Sequence, residues 1–417
     1  VGMMSKYGGG TAGYFGDLRP RGASIKDNCV SSGSVHFMRL FETMVNVVSQ
    51  GSVRRGHFAP YLPLEHKDIH EFLEIGTEGN PIQELTYGVT VTDKWLNDMI
   101  DGDQEKRDIW AKVLQRRSQI GYPYILFTDT VNRNTVDVYK DKNLKIYASN
   151  LCSEILLPSN ENWSVVCDLS SMNLLYYNEW KNTDAVETLV YFLDAVMSDF
   201  ISRLEDFRNS GETQKKQAFL FMERAYNFAK TNRALGLGVL GWHSYLQSKM
   251  IPLESIEAHN INEEIFENLH KQCYDASKKL AKEYGEPEIL IGYGRRNTTL
   301  LAVAPTTSSA FILGQVSQSI EPLWSNCYVK DIDKMKITIK NPLLEKLLEE
   351  KGLNTREIWQ GIRENDGSVQ HLSEITDKEK EIFKTFAEID QKVIIEQAAE
   401  RQKYIDQGQS LNLMIDP

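Results

Sequence analysis

Short β-rich runs alternate with long amphipathic helical patterns over most of this 417-residue chain, and that alternation limits the fold more than any single motif. Candidate strands lie at 87–91, 124–127, 145–148, 163–169 and 299–303. Helical spacing predicts helices near 34–49, 105–119, 184–208, 213–229 and 262–284. In the first of these, Val35, Met38, Phe41, Val45 and Val48 recur at helical spacing. A chain that keeps passing from strand to helix can pair its strands in parallel, so the expected fold class is α/β, as a barrel or a doubly wound sheet. From about 341 to 407 the pattern becomes helical and charged, broken by a polar turn at 364–367. No repeat or linker marks a boundary, so residues 1–417 are expected to form one domain.

A net charge of -11 argues against binding to nucleic acid or to acidic lipid surfaces. A phosphorylated substrate would therefore need a local cradle. The cysteines, Cys29, Cys152, Cys167, Cys273 and Cys327, are odd in number and show no CxxC spacing. That fits neither a disulfide scaffold nor a zinc knuckle, and points to a reducing cytoplasm. No apolar run has the length of a membrane span, and the start of the chain shows no basic-then-apolar signal. The chain opens on Val1 and closes on Asp416-Pro417 after an apolar segment, and reads as a piece of a longer polypeptide.

Chemistry concentrates at 148–155, where an amide, a thiol and a carboxylate stand at every second residue: Asn150, Cys152 and Glu154. In an extended segment these share one face. A thiol beside a general base suits chemistry on a hydroxylated substrate, although a cysteine can equally be a small buried hydrophobe. Cys167 lies on a predicted neighbouring strand, and two cysteines meeting across strands can deliver two electrons by closing a disulfide. Pro305, Thr306, Thr307, Ser308 and Ser309 follow a candidate strand and offer hydroxyls and backbone donors for a phosphate, or an ordinary helix cap.

Other patterns carry less. The GxGxxG at 236–241 follows a polar helical stretch in place of a strand, its nearest acids, Glu254 and Glu257, come early for a dinucleotide ribose, and it reads better as close backbone packing. Glu65, His66 and His70 have helical spacing but no evident third metal ligand, and read as a solvated or capped helix face. Tyr176 and Tyr177 read as packed side chains rather than a redox pair. Glycines at 7–16 permit tight turns, and two basic loops lie at 17–22 and 50–56.

In chain order these motifs resemble the large, catalytic subunit of ribonucleotide reductase, and the resemblance covers essentially the whole chain. Asn-Leu-Cys-Ser-Glu at 150–154 resembles the family's thiyl-radical finger loop, and Ala-Pro-Thr-Thr-Ser-Ser at 304–309 its substrate-phosphate loop. The segments at 16–22 and 49–56 resemble the two specificity loops, 233–241 a structural signature, and Ser-Ile-Glu-Pro at 319–322 also fits. The resemblance implies a ten-stranded α/β barrel of two five-stranded parallel halves, with the finger loop at its centre and terminal strands missing from this chain.

By that resemblance Cys152 becomes the thiyl radical, Glu154 the general base, Asn150 a hydrogen-bonding group for the sugar, and Cys167 one member of the reducing pair. The other member would lie ahead of Val1, and the radical-relay tyrosines and shuttle cysteines beyond Pro417. Gly9 and Gly10 would line the substrate, while Arg19, Gln50 and Arg54 would answer to nucleoside triphosphate effectors. The implied enzyme binds no metal in this chain. It takes its radical from a metal-containing small subunit, forms a homodimer, and is re-reduced by thioredoxin or glutaredoxin. Leucine rather than proline at 151 favours the oxygen-dependent class I over the cobalamin-dependent class II. Two alternatives are a fragment that binds nucleotides without reducing them, as expected of residues 1–417 alone, and a nicotinamide dehydrogenase.

Overall fold

The computed structural model describes residues 1–26, 29–49, 55–332 and 335–414. It divides into two compact units: Val1–Val165 with Arg203–Phe228, and Val166–Ser202 with the chain from Ala229 onward.

The first unit is built on a four-stranded, wholly parallel sheet of β1 (Gly10–Tyr14), β2 (His57–Pro63), β3 (Gly88–Val91) and β4 (Tyr124–Phe127), ordered as in the sequence. β3 is buried along its whole length, as expected where both faces of a parallel sheet are covered. The helix Ser34–Val48 connects β1 to β2 and buries Val35, Met38 and Val45 in a core shared with Phe58, Leu62, Phe72 and Val89. Phe41 stacks on Phe58 with ring centroids 4.6 Å apart. Two helices, Asp93–Ile100 and Gln104–Ile120, connect β3 to β4, each started by a side-chain cap, Thr92 and Asp103.

β1 and β2 depart from the sequence expectation, which read the glycine-rich opening as turns and placed no strand at 57–63. In β1, a Cβ on Gly10 would lie 2.5 Å from Leu151 Cδ2, so a side chain there would make Leu151 move. In β2, Pro60 argues against a central strand. However, β3 pairs only with Tyr61–Pro63, so at Pro60 β2 has a neighbour on one side alone. Two further expectations fail. Residues 144–150 make no ladder, and 163–168 lie outside the strand, which begins at Leu169.

The second unit pairs β5 (Leu169–Asn173) with β6 (Gly236–Leu240) in parallel. Isolated parallel bridges, Leu237 to Leu301 and Val303 to Gln409, continue the pairing, so 299–303 runs extended without forming a full strand. Gly236–Leu240 is the decoy GxGxxG, and it is a buried strand. A Cβ on Gly238 would sit 2.4 Å from the Ala302 carbonyl oxygen. Gly238→Ala is therefore expected to destabilise the fold by about 1–3 kcal/mol through overpacking, read as a lower denaturant midpoint.

Arg233, just ahead of this strand, is buried and donates to Asp194 Oδ1 at 2.8 Å. Burial alone would raise the Asp194 carboxyl, but Arg233 and Arg296 hold it below its ordinary value. Helix Ile256–Tyr284, capped by Ser255, packs against Gln391–Gln402. An antiparallel hairpin, β7 (Cys327–Ile332) and β8 (Met335–Lys340), precedes Pro342–Glu350 and Arg356–Glu364, whose core includes Leu344, Leu348, Trp359 and Ile362. No sheet closes among the described residues, so the α/β class stands while the ten-stranded barrel is not visible as a closed sheet.

Candidate active site

The segment Asn150 to Glu154 is a turn and not an extended strand. Leu151 and Cys152 form its tip, and Ser153 adopts φ 68°, a left-handed conformation that breaks the expected alternation. The loop closes on itself at its base. Ser149 Oγ donates to the Ile155 carbonyl at 2.8 Å, and the Ile155 N–H donates to Asn150 Oδ1 at 3.2 Å. Asn150 thus spends its side-chain oxygen on the loop's own backbone. From the sheet, the Tyr61 hydroxyl donates to the Asn150 carbonyl at 2.9 Å.

The three candidate residues meet at this turn, though unequally exposed. Cys152 is half-buried, whereas Glu154 retains 2% of its exposure. Burial raises the Glu154 carboxyl above its ordinary value, and hydrogen bonds from its own backbone N–H and from Asn150 pull the other way. Its Oε2 is buried and has no hydrogen-bond partner among the described residues. A buried carboxylate oxygen left unmatched is costly, and a base held ready for a substrate proton has this arrangement.

The remaining predicted positions are spread over both units. Gly10 gives Leu151 room, and Gly9 donates its N–H to the Met4 carbonyl at 2.9 Å. Arg19 is exposed, and its carbonyl accepts from Ser31 Oγ. Gln50 and Arg54 lie outside the described residues. Cys167 is exposed in the second unit, just before β5, so the sequence argument that it sits within a strand does not hold.

In the same unit, Pro305 precedes Thr306, which takes φ 51° and caps the short helix Thr307–Ile312. Thr306 Oγ1 accepts from the Ser319 N–H at 2.8 Å, tying this loop to the Ser-Ile-Glu-Pro motif, while Thr307, Ser308 and Ser309 are exposed. Glu321 of that motif is buried and accepts from the Asn412 N–H and Nδ2.

Among the described residues, no group of three His, Cys, Asp or Glu side chains is placed to hold a metal. His66 is buried and joined to the Leu18 carbonyl at 2.9 Å and Ser34 Oγ at 3.2 Å, holding the first basic loop, so it is not a solvated helix face. Tyr177 packs on Trp180 and Tyr245, as its pattern suggested, whereas Tyr176 is 48% exposed and does not follow that reading. Sequence reasoning missed Tyr61, because its strand was itself missed.

Comparison with known proteins places this geometry in context. The family model described as ribonucleotide reductase, barrel domain, matches residues 1–106, 97–290 and 287–417. A putative ribonucleoside-diphosphate reductase large subunit of Frog virus 3 is 39% identical over 98% of this chain and 73% of its own length. The ribonucleoside-diphosphate reductase large subunit of Invertebrate iridescent virus 3 is 31% identical over 100% of this chain and 75% of its own. Among solved structures, an Actinobacillus ureae class Id ribonucleotide reductase alpha subunit superposes with a TM-score of 0.90 at 56% identity, over 99% of this chain and 74% of that one.

Proposed function

Because the chain belongs to the ribonucleotide reductase family, we propose that Cys152 and Glu154 are the residues through which it reduces ribonucleoside diphosphates to 2′-deoxyribonucleoside diphosphates. The observation that carries this reading is the Cys152 turn, with the buried, unmatched Glu154 oxygen two residues away.

The chemistry follows from the residue types. A sulfur radical at Cys152 takes the hydrogen from the ribose 3′ carbon, which is feasible and reversible because S–H and carbinol C–H bonds are similar in strength. Glu154 accepts the 3′-hydroxyl proton. The 2′-hydroxyl then leaves as water, and a cysteine pair supplies two electrons and two protons as it closes to a disulfide, after which Cys152 returns its hydrogen to C3′ and Glu154 returns the proton to the 3′ oxygen. Cys167, exposed just before β5, is one member of that pair, which a dithiol of the thioredoxin or glutaredoxin type re-reduces. Asn150 holds the loop through its side-chain oxygen, and its amide nitrogen serves Glu154.

The loop at 304–309 takes the substrate's diphosphate through Thr306, Thr307, Ser308, Ser309 and the backbone after Pro305, with Gly9 and Gly10 along the sugar. Arg19, Gln50 and Arg54 respond to nucleoside triphosphate effectors. Residues 1–417 are read as one catalytic domain of the family's ten-stranded α/β barrel type. The radical comes from a metal-containing small subunit. We place the enzyme in the cytoplasm; separately, among the described residues no helix is long and apolar enough to cross a membrane.

A second copy of the chain is the partner expected on helix Ser34–Val48. This helix buries Val35, Met38 and Val45 and turns Phe37, Leu40 and Val47 outward, at 46%, 59% and 73% exposure, on one stripe. An apolar stripe opposite a buried one marks an interaction surface. The double change Leu40→Glu with Val47→Glu is expected to leave the protein folded and monomeric, read by sedimentation at concentrations where the parent is a dimer.

A further inference from the structure

We infer that Tyr61 is a positioning residue for the Cys152 sulfur, fixing the tip loop to the sheet through its hydroxyl. The inference rests on the reading of Cys152 given above. Tyr61 is fully buried on β2, and its hydroxyl donates to the Asn150 carbonyl 89 residues away at 2.9 Å. Its ring is itself confined. Tyr61 is paired with Gly88 on β3, where a Cβ would come within 2.3 Å of the ring, so glycine at 88 is what gives the phenol its place.

The hydroxyl is a lasting donor. Burial raises the phenol well above its ordinary value, and the nearby Glu154 and Cys152 raise it further, although a hydrogen bond from Ser149 opposes this. On the β1 side the same turn is buttressed sterically, with Leu151 filling the space that Gly10 leaves open. The hydrogen bonds from Ser149 and Ile155 fix the shape of the loop, whereas Tyr61 fixes its place on the sheet. Hydrogen abstraction depends steeply on the distance between sulfur and carbon, and a displacement of about 1 Å can cost about 100-fold in rate.

Tyr61→Phe deletes the donor and keeps the ring. In the full enzyme with its radical-generating subunit and a dithiol reductant, kcat is expected to fall roughly 10- to 100-fold, with KM for the nucleoside diphosphate changed less than about 2-fold. In the large subunit alone, alkylation of Cys152 by iodoacetamide, followed by mass spectrometry, should become several-fold faster. Unchanged kcat or unchanged alkylation would overturn the inference, and so would a rise in KM that accounts for the whole loss. If Tyr61→Phe does not fold, Gly88→Ala, whose added Cβ crowds the Tyr61 ring from β3, is held to the same two readouts. Failure of the Cys152 reading looks different: Cys152→Ser would then retain full turnover whatever Tyr61→Phe does.

Discussion

Cys152→Ser in the complete, partnered enzyme is expected to abolish deoxyribonucleotide formation. The loss should be about four orders of magnitude or more, roughly 5.5 kcal/mol of transition-state stabilisation. An O–H bond is much stronger than a carbinol C–H bond, so a serine cannot be charged to a radical that exchanges hydrogen reversibly with the 3′ carbon. The fold should not change, because Cys152 sits half-buried at the tip of a turn whose closing bonds come from Ser149, Asn150 and Ile155. The measurements are steady-state turnover with a nucleoside diphosphate and the unfolding midpoint. Substantial activity in the folded variant would remove Cys152 from the mechanism.

The second large effect is Glu154→Gln, which should move activity and stability in opposite directions. Loss of a general base costs about 10²- to 10⁴-fold in turnover. Stability should rise, because burial has lifted the Glu154 carboxyl above its ordinary value near 4.5. The folded state therefore binds this proton more tightly than the unfolded chain, and the side chain's contribution to stability falls as pH rises from the unfolded value through the folded one. Glutamine has no proton to lose. The variant should melt above the parent by a margin that grows as pH rises above the ordinary carboxylate range. In the parent, turnover should rise with pH through the raised value, and that limb should be absent from the residual activity of the variant. A variant that melts lower at every pH would mean that Glu154 is held as a paired, ionised group.

Much of the site was legible because it depends on residue type and order. Asn150, Cys152 and Glu154 were identified from their spacing, yet the reason first given, one face of a strand, does not describe them. A left-handed Ser153 gathers them on a turn instead, and a single non-glycine residue at positive φ leaves no mark in a pattern of polar and apolar residues. The decoy at 236–241 was read correctly as packing, since Gly238 admits the Ala302 carbonyl. β2 was hidden by two prolines, and with it went Tyr61.

Local order along the chain determined the α/β class, the long helices, the net acidic charge and the chemical identity of the candidate reacting groups. These follow from periodicity and side-chain chemistry, which act over a few residues. Tertiary structure decided which glycines serve a neighbour's side chain, which carboxylate oxygen stays unmatched, and how a tyrosine 89 residues before Asn150 holds the loop that carries the thiol. Those are matters of distance between remote segments. Desolvation and steric fit, which give Glu154 its raised carboxyl and Gly10 its close approach to Leu151, exist only once the chain has folded.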